Sequence, residues 1–183
     1  MIAGLITAAT ASVIAWAMSR QAQAVRTYNA IEAGQLALQG IGRLIRNAGL
    51  GDGPALLEVA GDRLTLCGVG WREGVFRGQL LVDSQGHLVW TPVSLPPQRL
   101  SQCPGQDLPE AVRLVPGAAF EQVSFSTTPW DAASSPGRCG MGGPFPGCDG
   151  VAGLFVRVEP AGAADEGHPV AEGYVALRNT GAP

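Results

Sequence analysis

The sequence predicts an α+β fold, with one long N-terminal helix packed on a small antiparallel β-sheet whose loops are tied by disulfides. Three observations lead there. Residues 1–49 contain no proline and, between Gly4 and Gly34, no glycine, so nothing local interrupts a helix. After residue 50 the apolar spacing shortens from three and four to two, the period of a strand. Gly 26 and Pro 14 make up more than a fifth of the chain and fall mainly in that second part, where they set turns.

The run Met1–Met18 carries no charge, and the first one comes at Arg20. At about 1.5 Å per residue it is roughly 27 Å long, close to the ~30 Å of a bilayer's hydrocarbon core. It is therefore expected to cross a membrane. Past Arg20 the pattern turns amphipathic: Val25, Tyr28, Ile31, Leu38, Ile41, Ile45 and Ala48 recur mostly at spacings of three and four, with Gln21, Gln23, Arg26, Glu32, Gln39 and Arg46 between them. That apolar row is expected to lie on a globular domain, and the glycines of Asn47–Gly53 to end the helix. Two parts follow: residues 1–49 as a transmembrane and amphipathic helix, and residues 50–183 as a β-rich domain. A rival reading makes Ala22-Gln23-Ala24 the cleavage site of a secretory signal, but the charged segment that should precede the apolar run is missing.

From residue 54 onward the strands come in pairs. Leu57 and Val59, the turn Gly61-Asp62, then Leu64 and Leu66 form one hairpin signal; Leu80 and Val82, Ser84-Gln85-Gly86, then Leu88 and Trp90 form a second. Five prolines between Thr91 and Pro109 forbid a central strand there and imply a long loop holding Cys103. Strand character returns with Val112 and Leu114, then Val123 and Phe125 after the turn Pro116-Gly117. It ends with Val151–Val158 and Gly173–Arg178.

Four cysteines behind an apolar N-terminus point to an oxidising compartment. Cys139 and Cys148 enclose a short Gly- and Pro-rich loop, which leaves Cys67 and Cys103 for each other; four reduced, buried thiols are the alternative. A net charge of −3 and a pI near 5.3 give no electrostatic footprint for nucleic acid. No nucleophile elbow, zinc-hydrolase motif or phosphate loop occurs, so an enzyme is not expected. His87 and His168 sit in turn-like surroundings with no cysteine or carboxylate at a telling spacing. Asp131, Asp149, Asp165 and Glu166 raise the question of calcium without the alternating ligand pattern it needs, and solvated surface charge explains them better; no cofactor is expected. Trp71, Trp90 and Trp130 are read as core and loop anchors in preference to an aromatic platform.

Three stretches resemble a known group. Arg43–Gly49 (RLIRNAG), Leu114–Phe125 (LVPGAAFEQVSF) and Val175–Asn179 (VALRN) resemble the helix end, a central strand and the last strand of PilW-like type IV minor pilins and their J-type pseudopilin relatives of type II secretion. The resemblance implies a structural subunit, single-pass in the bacterial inner membrane with its domain in the periplasm, that enters a pilus or pseudopilus, in initiation or at the tip. Its partners would be other pilins, met through the helix, the inner membrane and an inner-membrane assembly platform. Gly4, Ala8, Ala11 and Ala15, with Trp16, are the candidate helix-packing residues. The family's basic leader, processing glycine and early glutamate do not precede Met1, which is therefore expected to be an internal methionine. The second reading is a membrane-anchored extracytoplasmic binding module for DNA uptake or surface adhesion.

Overall fold

The structure, a computed structural model, describes residues 2–51, 53–93, 102–130, 137–140, 148, 150–161 and 170–177, the side chains of 2–9 excepted. Helix α1, Ile2–Arg46, is the chain's long element. It runs unbroken through Ala22–Ala24 and ends where the sequence predicts: Asn47 N–H bonds back to the Arg43 carbonyl at 3.1 Å, and Gly49 turns the chain with φ 83°. Gly49 and Leu50 then donate to the carbonyls of Cys67 and Gly68, so the helix exit is stitched directly to the sheet.

Two sheets follow. The larger has the order β6-β4-β3-β2-β1-β8, from Val112–Arg113, Leu88–Thr91, Gly74–Val82, Arg63–Trp71, Leu56–Val59 and Cys139–Gly140. Strand β5, Gln106–Asp107, adds to β3 in parallel. The smaller sheet is β10-β9-β7, from Ala171–Ala176, Gly153–Pro160 and Phe120–Ser126. Both expected hairpins form, with Val59 opposite Leu64 and Leu80 opposite Trp90. Their turns also join the sheets: the Gly61 and Gly86 carbonyls accept from Phe125 and Phe120 of β7. The Pro116-Gly117 turn links no hairpin. It carries the chain from β6 in one sheet to β7 in the other.

The core lies between the second half of α1 and the two sheets, filled by Ile41, Leu44, Ile45, Leu66, Leu80, Trp90, Phe125, Leu154 and Val156. The helix face that enters it is Ala30, Gly34, Ala37, Ile41, Leu44, Ile45 and Ala48. Small residues there bring the backbones close: a Cβ added at Gly34 would lie 2.9 Å from the Cβ of Ala171 on β10. This corrects the expected row. Val25, Tyr28 and Ile31 are exposed, and the buried face lies to one side of them.

The inner-membrane, single-pass localisation is also corrected. Among the described residues no helix is long and apolar enough to cross a membrane. The physical reason is continuity, since described side chains begin at Thr10 and the uncharged stretch stops before Arg20. Ten residues make about 15 Å, half of what a bilayer core requires. Gln21, Gln23, Arg26 and Glu32 follow.

Candidate functional site

Residues 10–29 of α1 are exposed on every side, a rod of roughly 30 Å at 1.5 Å per residue that touches no other element. An exposed helix of this length is ordinarily polar. This one presents Val13, Ile14, Trp16, Met18, Val25 and Tyr28, with Trp16 62% and Met18 67% exposed. Its hydroxyls are turned inward, Ser19 donating to the Trp16 carbonyl at 2.8 Å and Thr27 to that of Gln23 at 3.1 Å. The Arg20 guanidinium lies 5.6 Å from the Trp16 ring centroid, a cation–π contact that keeps that indole ordered on the surface.

Of the candidate packing residues, Ala11, Ala15 and Trp16 fall in this exposed rod; the side chains of Gly4 and Ala8 lie outside the described ones. The row continues further than the small residues alone indicate. Ala11, Ala15, Met18, Ala22 and Val25 follow at steps of four, three, four and three, the seam spacing of two packed helices. At about 100° per residue this seam lies roughly a third of the way round from the face buried on the domain. The signal for Met18, Ala22 and Val25 was present in the sequence, hidden because Val25 also fits a row with Tyr28 and Ile31.

Where the rod meets the domain, Arg26, Asn29, Ala30 and Ala33 face Gly117–Ala119 and Pro160–Ala161 across an open groove of about 420 Å³. Its lining is small and nearly featureless apart from Arg26, and it offers no converging catalytic groups.

The other candidates resolve individually. His87 is paired, contrary to the sequence reading: its Nδ1 lies 3.3 Å from Asp83 Oδ2. Asp83 Oδ1 accepts from the backbone N–H of Gln85 and of His87, both at 2.8 Å, and the His87 amide foremost holds its carboxyl below the ordinary value of 3.8. The pair closes the β3–β4 turn. His168, Asp131, Asp149, Asp165 and Glu166 lie outside the described residues. Among the described residues no three His, Cys, Asp or Glu come together as a metal site. Trp90 is fully buried with Trp71 edge-on to it at 5.6 Å, whereas Trp130 sits beside the other sheet, so the three tryptophans form no common platform. Both cysteine pairs are bridged, Cys67 to Cys103 and Cys139 to Cys148. Compared with protein-family models, curated proteins and solved structures, the chain matches none.

Proposed function

We propose that this chain is a pilin-like structural subunit, whose projecting helix packs against the helices of other subunits in a type IV pilus or type II secretion pseudopilus. The observation that carries the reading is the apolar rod. Val13, Ile14, Trp16, Met18, Val25 and Tyr28 each keep half or more of their surface in water, an arrangement that a helix partner relieves. Burying one such side chain contributes about 1.5–3 kcal/mol, so a few suffice to drive assembly. The α+β domain, with its helix exit sewn to the sheet, then serves as the fixed head from which the rod is presented.

The seam supports packing of helix on helix in particular. Ala11, Ala15 and Ala22 allow close backbone approach, while Met18 and Val25 supply the knobs. A subunit in initiation or at the tip suits the resemblance of the helix end and the central strand. The test is filament entry: in the cells that produce the protein, the full chain is followed into sheared filaments. Met18→Glu with Val25→Glu should remove it from that fraction while its domain stays folded. Undiminished entry of the double variant would contradict the reading.

A further inference from the structure

The outer face of the small sheet, turned away from α1, carries a second cluster. Strand alternation places Leu154, Val156 and Val158 in the core and sends Phe155, Arg157 and Glu159 outward, beside Glu172 and Tyr174 of β10. Phe155 and Tyr174 are cross-strand partners with ring centroids 5.0 Å apart, tilted by 50°. Tyr174 is 54% exposed. Trp130, on the segment leaving β7, has the Arg157 guanidinium 5.1 Å from its ring centroid. Its indole N–H is buried without a hydrogen-bond partner. Arg157 Nε also donates to Glu172 Oε1 at 2.6 Å.

We infer that this face binds a neutral carbohydrate, a chain of equatorially linked β-pyranoses. The C–H faces of such sugars are flat and apolar, and stack on aromatic rings whose faces are electron-rich. An ion pair such as Arg157–Glu172 offers donors and an acceptor side by side, the set that recognises vicinal hydroxyls. The charge of the face selects against the other ligand of aromatic platforms. Arg157 is already neutralised by Glu172, and Glu159 adds a further negative charge, so a phosphate backbone would be repelled. A neutral polyol loses nothing there. The site is separate from the helix seam and would operate whether or not the chain enters a filament.

The test is a titration of the full chain, read by tryptophan fluorescence and by affinity electrophoresis. The probes are cellohexaose, the hexamer of N-acetylglucosamine and, for comparison, a twenty-residue oligothymidylate. Saturable binding of at least one of the two sugars, weakened tenfold or more by Tyr174→Ala and by Phe155→Ala but unchanged by Tyr28→Ala on the rod, is the expected result. Absence of binding to both sugars, binding indifferent to Tyr174, or binding of the oligothymidylate alone would overturn it. A change in oligomeric state on Tyr174→Ala without sugar binding would also overturn it, and mark the face as a subunit contact.

Discussion

Thr65 shows how single atoms decide stability in this fold. It is 1% exposed on β2, and its hydroxyl has no hydrogen-bond partner. Thr65→Val keeps the branched shape and deletes the orphan, so we expect a gain of about 1 kcal/mol in urea unfolding. Gly34 and Gly78 work in the opposite sense. A Cβ at Gly78 would come within 2.9 Å of the Trp90 ring, and at Gly34 within 2.9 Å of Ala171, so Gly34→Leu should cost about 1–3 kcal/mol by prising α1 off β10. Asp107 reports on pH. The Arg77 guanidinium, donating to Asp107 Oδ1 at 2.7 Å, holds this carboxyl below its ordinary value of 3.8. A depressed folded value means stability present above about pH 4 and lost as pH falls through the folded value. Urea midpoints of Asp107→Asn should therefore fall less steeply below pH 4 than those of the parent chain.

At the scale of elements, the two bridges should differ in worth. Cys67–Cys103 closes a separation of 36 residues and Cys139–Cys148 one of 9. On the chain-entropy estimate the first constrains the unfolded chain by about 4 kcal/mol and the second by about 3. Paired Cys→Ser variants measured by urea unfolding should preserve that order. Both hairpins and the helix end were legible because each has its own punctuation: Gly61-Asp62, Ser84-Gln85-Gly86 and the glycines after Asn47. The β2–β3 turn was not. Its centre is Arg72-Glu73, with Arg72 forced to φ 52°, and the glycines that mark primed turns stand elsewhere, at Gly70 and Gly74. Arg72→Gly should relieve that backbone and raise the thermal midpoint by a few degrees, about 1 kcal/mol. The division into two sheets was equally hidden, since alternation reveals which residues face inward but not which strand is the neighbour.

For the molecule as a whole, the long helix was legible from composition and the direction of its faces was not. The true domain face is built from Ala30, Gly34 and Ala37, residues whose smallness conceals them in a hydropathy pattern, while the larger Val25, Tyr28 and Ile31 drew the eye to the exposed side. Two surfaces leave the domain unpartnered: the apolar rod of α1 and the aromatic face of the small sheet. The account rests on the first. All four native cysteines are bridged, so a single introduced thiol reads contacts cleanly. The decisive measurement is oxidative cross-linking of the full chain, in the cells that produce it, with cysteine placed at Met18 or Val25 on the seam and at Arg46 as control. Cross-linked species from the seam positions, and none from Arg46, are the predicted result. Monomer at all three positions would contradict the claim that the rod packs on a neighbouring helix.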